Sequence, residues 1–105
     1  ANGLRNDGIN ISAEKGKPVL AADSGKIVYA GNEIQAFGNL ILIKHYNNKT
    51  SAYAHLDKIR VVKGESVNKG QIIALVGNSG KVSVPQLHFE IRDKEGPLDP
   101  LDFLP

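Results

Sequence analysis

The stretch Gln86-Leu87-His88-Phe89-Glu90-Ile91-Arg92 alternates polar and apolar residues without a break, and no other feature limits the fold so narrowly. A period of two puts Leu87, Phe89 and Ile91 on one face of a strand and Gln86, His88, Glu90 and Arg92 on the other. Apolar and β-branched runs mark further strands at residues 8–12, 18–21, 25–31, 39–45, 51–55 and 71–77. Turn signals separate them: Asp23-Ser24-Gly25, Phe37-Gly38-Asn39, Tyr46-Asn47-Asn48-Lys49, Lys63-Gly64, Lys69-Gly70 and Asn78-Ser79-Gly80. No amphipathic run reaches helix length. Residues 56–61 read as a single helical turn, and residues 99–103 as another, with Asp99 as N-cap and Pro100 at the first helical position. Short strands without crossover helices predict an all-β chain, mainly an antiparallel sheet or small open barrel, with one-turn helices at most.

At 105 residues the chain is one domain. Its opening at Ala1, close to apparent core sequence, reads as the C-terminal part of a longer protein. Acids and bases are interspersed to a net charge of +2, which lacks the concentrated basic stripe of a nucleic-acid binder. The absence of cysteine excludes both a disulfide framework and a thiolate metal site. No apolar run approaches the roughly 20 residues of a membrane helix, and no signal peptide is visible. Any membrane attachment is therefore expected from a segment outside this chain. The phrases at 25–31 and 69–77 resemble each other, and the Lys-Gly-x-x-Val-x-Lys-Gly-Gln run is read as architecture, with glycines turning the backbone between short strands.

Three histidines are present, His45, His55 and His88. A single imidazole at a strand end is usually a hydrogen-bonded structural group, and His45 is read that way. His88 shares a strand face with Gln86, Glu90 and Arg92. His55 follows Tyr53 in Ser51-Ala52-Tyr53-Ala54-His55-Leu56, where alternation places the two side by side.

From about Gly8 to Pro105 the chain resembles the LytM-type (lysostaphin-like) zinc endopeptidases that cut peptidoglycan cross-links. The resemblance rests on Gly-Asn-Leu before a run ending Lys44-His45, on Tyr53-Ala54-His55-Leu56, on Lys-Gly-Gln-Ile-Ile-Ala, on Leu87-His88-Phe89-Glu90-Ile91-Arg92 and on Asp99-Pro100. It implies a zinc site. Active members carry His-x-Gly-x-Asp near the start and His-x-His near the end. The first His, the Asp and the last His bind the metal, while the Tyr-x-His-Leu histidine and the first His of His-x-His assist its water. Such a site needs three protein ligands and one open position.

Here Asn6-Asp7-Gly8-Ile9-Asn10 replaces the first motif and Gln86-Leu87-His88 the second. Asn6 and Asn10 stand at two ligand positions, Gln86 at a helper position, and only His88 and His55 remain. Neutral carboxamides are weak zinc donors beside imidazole or carboxylate. Asp7 is an odd number of residues from Asn10 and would point to the opposite face of a strand. The expectation is a domain without catalytic or metal-binding residues and without a cofactor. Its former active site, lined by Asn6, Asn10, Tyr53, His55, Gln86, His88 and Arg92, is expected to be a partner-binding groove.

The same segments are similar to the C-terminal domain of NlpD-type murein hydrolase activators. That resemblance implies activation of a periplasmic N-acetylmuramoyl-L-alanine amidase during cell division. It also implies a place in the periplasm or cell envelope, with an outer-membrane anchor in the full-length protein. The NlpD type commonly keeps an Asp where Asn10 stands. Two other readings use the same groove: a passive peptidoglycan-binding module, and a zinc endopeptidase with atypical ligands. A lipoyl- or biotinyl-type carrier barrel shares the Lys-Gly turns, but no Met-Lys-Met phrase is present.

Overall fold

A computed structural model describes residues 8–103. Nine strands follow one another along them: β1 (Ile9–Ser12), β2 (Pro18–Leu20), β3 (Gly25–Gly31), β4 (Asn39–His45), β5 (Thr50–Ile59), β6 (Ser66–Val67), β7 (Ile72–Val76), β8 (Gln86–Asp93) and β9 (Gly96–Pro97). Every pairing is antiparallel, in the order β1-β8-β5-β4-β3-β6, with β7 joining β5 to β2 and β9 extending β8. The long β5 makes this possible. Its first half pairs with β4 and β8, and its second half leaves β8 to pair with β7. The sheet therefore folds over on itself.

The core lies between the two halves. Ile27, Ile43, Tyr53, Phe89 and Ile91 project from the main sheet, and Val19, Ile73 and Val76 meet them from β2 and β7, with Val67 of β6 packed beside them. The alternation in β8 resolves as expected on this side, since Phe89 and Ile91 are buried. Burial of Tyr53 against Phe89, with ring centroids 5.4 Å apart, fills the centre.

Two local expectations change. Residues 56–59 form strand, because they hydrogen-bond to β7 through Leu56↔Val76 and Ile59↔Ala74. The two-residue strands β6 and β9 carry no periodic signal and were not expected. At the C-terminal end the expected turn is present as a 3-10 helix, Pro100–Asp102, and the Asp99 carboxylate accepts the Leu101 N–H at 3.0 Å.

Candidate functional site

The face of the main sheet that turns away from the core is where the polar side of β8 lies. Strand register assembles it. Ala54 pairs with His88, Ala52 with Glu90 and Thr50 with Arg92, while Asn10 of β1 flanks His88 from the other side. Small residues on β5 leave a trough above the sheet of about 320 Å³, floored by Leu42, Ala52 and Ala54 and bounded by His88, Glu90 and Arg92. Ile34 and Phe37, from the loop between β3 and β4, form its opposite wall.

That wall is held in place from below. Gly38 (φ 66°) and Gly80 (φ 82°) approach so closely that a Cβ on either would collide with the other's backbone nitrogen. Lys81 N–H donates to the Ala36 carbonyl (3.1 Å), His55 N–H to the Phe37 carbonyl (2.8 Å) and Asn39 N–H to Ser79 Oγ (3.0 Å). The Phe37 ring is thereby fixed against His88, nearly parallel at 5.8 Å.

Both ring nitrogens of His88 are engaged within the chain. Nε2 lies 2.7 Å from Glu90 Oε2, and Nδ1 lies 2.7 Å from Asn10 Oδ1. Glu90 in turn faces Arg92, with Nε 3.6 Å from Oε1. His55 stands 6.1 Å from His88, ring to ring. Its backbone is left-handed, φ 65°, which a non-glycine residue holds only where its surroundings fix it. The left-handed residue interrupts alternation, so the His55 ring turns toward Phe37 and His88, behind the trough lining, although Tyr53, two positions earlier, faces the core. Its Nδ1–H donates to the Ser79 carbonyl at 2.9 Å. This assigns the lone pair to Nε2, and among the described residues nothing donates to it.

Tyr53 is therefore not part of the groove. It is buried on the core face, where its hydroxyl accepts the Ala22 N–H (3.0 Å) and donates to Ser51 Oγ (2.7 Å). Ser51 donates to His45 Nε2 (2.8 Å), and His45 Nδ1–H donates to the Ser24 carbonyl (2.8 Å). Each group in this chain has a donor or acceptor to match, and His45 is structural as expected. Burial raises the Tyr53 phenol to about 12. Gln86 lies on the His88 side of β8, but its amide turns back to the Val84 carbonyl (3.2 Å). Asn10 and Arg92 border the site, and Asn6 lies outside the described residues. Glu90, which the sequence placed on the polar face but not in the groove, proves to connect His88 to Arg92.

Zinc fits this donor set poorly. A ligand nitrogen on His88 would have to give up Asn10 or Glu90, and Asn10 brings a neutral amide. Among the described residues no group of three His, Cys, Asp or Glu side chains is placed to hold a metal ion. What the arrangement offers is a shaped apolar floor with a hydrogen-bonded polar border.

The profile of peptidase family M23 matches residues 4–100. The chain is 52% identical to the outer membrane antigenic lipoprotein B of Haemophilus influenzae over 95% of its length and 24% of that protein's. It is 46% identical to the murein hydrolase activator NlpD of Escherichia coli, over 95% of this chain and 26% of the relative. With the cell division protein DipM of Caulobacter vibrioides it shares 47% identity, over 98% and 18%. It thus spans about a quarter or less of these relatives' lengths. The catalytic domain of the antimicrobial peptidase lysostaphin from Staphylococcus simulans superposes with a TM-score of 0.86 at 34% identity, covering 97% of this chain and 80% of that one. With its sequence matching the family profile and its fold superposing on that of a lysostaphin catalytic domain, the chain belongs to peptidase family M23, the LytM-type domains.

Proposed function

We propose that this domain is a non-catalytic member of its family that binds and activates a peptidoglycan-cleaving N-acetylmuramoyl-L-alanine amidase in the periplasm during cell division. The observation that carries this reading is the state of His88. It is the one imidazole left at the ligand positions, and both its nitrogens are spent on Asn10 and Glu90 beside a preformed apolar trough. A group arranged in this way shapes a surface and does not activate water.

The names of the relatives support the biological setting: a murein hydrolase activator, a cell division protein and an outer-membrane lipoprotein. They favour a place in the cell envelope, with the outer-membrane anchor supplied by a segment outside this chain. Activation needs only differential binding. A domain that binds the amidase's active state more tightly than its resting state shifts the population toward activity.

The test is release of dye from labelled sacculi by the organism's purified amidases, with wild-type domain, His88→Ala or Arg92→Ala. Both variants are expected to fold, by circular dichroism, and to stimulate at least about tenfold less, the loss expected when a hot-spot side chain of an interface is truncated. Full stimulation by both would reject the groove as the binding site. Retention of the domain on sacculi, with no stimulation of any amidase, would instead identify a peptidoglycan-binding module.

A further inference from the structure

The trough does not end at Arg92. Arg92 and Thr50 also line a second hollow of about 460 Å³, which Lys44 and Asn48 share with a third of about 280 Å³ reaching Lys26. Strand register explains the alignment. Lys26 pairs with Lys44, Lys44 with Thr50, and Thr50 with Arg92, so four strands place these side chains in a single row on one face. At about 4.8 Å per strand, the row from Lys26 to Arg92 spans roughly 14 Å.

The row is positive and largely unneutralised. Lys26 and Lys44 are directly opposite each other, an arrangement that destabilises a sheet unless something offsets it. Among the described residues neither makes an ion pair, and Lys94 adds a further cation at the second hollow. Two carboxylates lie nearby. Glu90 is already bonded to His88 and faces Arg92, and Asp93 accepts the Glu95 N–H. The face therefore runs from an apolar floor at Leu42 and Ala52 to a cationic end, where Tyr46 is 81% exposed.

We infer that this face takes a segment of the protein partner whose apolar stretch leads directly into a run of acidic side chains. The apolar part lies between Phe37 and Ala52, and the carboxylates lie along Arg92, Lys44 and Lys26. Like charges facing each other across two strands are then neutralised by the occupant, which makes the pairing cost a source of selectivity for acidic partners. This inference rests on the reading that the groove binds an amidase or another protein.

The experiment uses two charge-reversed double variants, Lys26→Glu/Lys44→Glu on the row and Lys17→Glu/Lys58→Glu away from it. Both change net charge equally. Amidase stimulation on dye-labelled sacculi is measured beside fluorescence binding of a synthetic peptide with four Leu/Phe residues followed by four Glu, and of its Gln counterpart. Expected is about a tenfold weaker response of stimulation and Glu-peptide binding for the row variant only, with wild-type binding falling as salt rises. Equal loss in both variants, or equal binding of the Glu and Gln peptides, overturns the inference. If the wild type stimulates and the row variant does so equally, the acidic-segment inference fails while the activator reading stands. If the wild type stimulates no amidase and binds neither peptide, both fail. Sacculi retained by the wild type and lost by the row variant, without peptide binding, would assign the row to the cell wall.

Discussion

Tyr53 and His88 show how two faces of one sheet divide the work. The Tyr53 phenol, pushed up to about 12 by burial, stays protonated in the fold at pH values where an unfolded chain, with a phenol near 10.0, has begun to ionise. The folded state thus holds a proton that the unfolded state loses, and stability must fall as pH rises from about 10 through 12. At about 1.4 kcal/mol per pH unit the loss approaches roughly 3 kcal/mol. Urea denaturation at pH 9 and pH 11.5 measures it, and Tyr53→Phe should abolish the part that the phenol contributes. The same substitution leaves the Ala22 N–H and Ser51 Oγ without their partner, so at pH 7 it is expected to cost about 1–3 kcal/mol. None of this reaches the trough. Tyr53→Phe should stimulate an amidase as the wild type does, whereas His88→Ala, on the opposite face, should not.

At the scale of elements, the trough depends on a wall that is not part of the sheet. Gly38 and Gly80 bring the loop carrying Phe37 against the loop after β7. Gly38→Ala combines a left-handed backbone with a collision against backbone atoms, and is expected to destabilise by about 2–4 kcal/mol. Gly64→Ala has the strained φ of 95° but open space around it, so about 1 kcal/mol is expected. Hydrogen exchange separates the two further. The His55 and Lys81 amides, which bond to the wall's Phe37 and Ala36 carbonyls, should lose protection in Gly38→Ala and keep it in Gly64→Ala.

These elements also explain what a sequence can and cannot reveal. The alternation from Gln86 to Arg92 predicts β8 and both of its faces, because period two is a property of a strand alone. Asp99 and Pro100 predict their turn because a cap is local chemistry. The left-handed His55 has no such mark. Strict alternation from Tyr53 put both residues in the groove, and the irregularity that separates them depends on the Phe37 and Ser79 carbonyls, far away in sequence. Residues 56–59 become strand only because β7 is there to pair with them.

At the scale of the molecule, the placement of Asn10 beside His88 and of Lys26 beside Lys44 follows from strand register, which joins residues that the sequence holds far apart. Family motifs located Asn10 and His88 without any knowledge of register, since they identify positions by resemblance. They gave no pointer to Glu90 as a bond partner of His88 or to Lys26 and Lys44 as neighbours, because those relations exist only between strands. The resulting molecule keeps the scaffold of a peptidase family, with Asn10 and His88 bonded to each other. Zinc offered to the purified domain should therefore leave its melting temperature unchanged, since a ligand stabilises a fold only as far as it binds it.

Binding of a partner without cleavage is the function proposed for this face. Dye release from labelled sacculi measures this most directly, with the domain alone in excess zinc and then with each amidase of the organism. No release is expected from the domain alone, and strong release, exceeding that of the amidase by itself, is expected from a mixture. Release by the domain alone, abolished by a zinc chelator, would contradict that function.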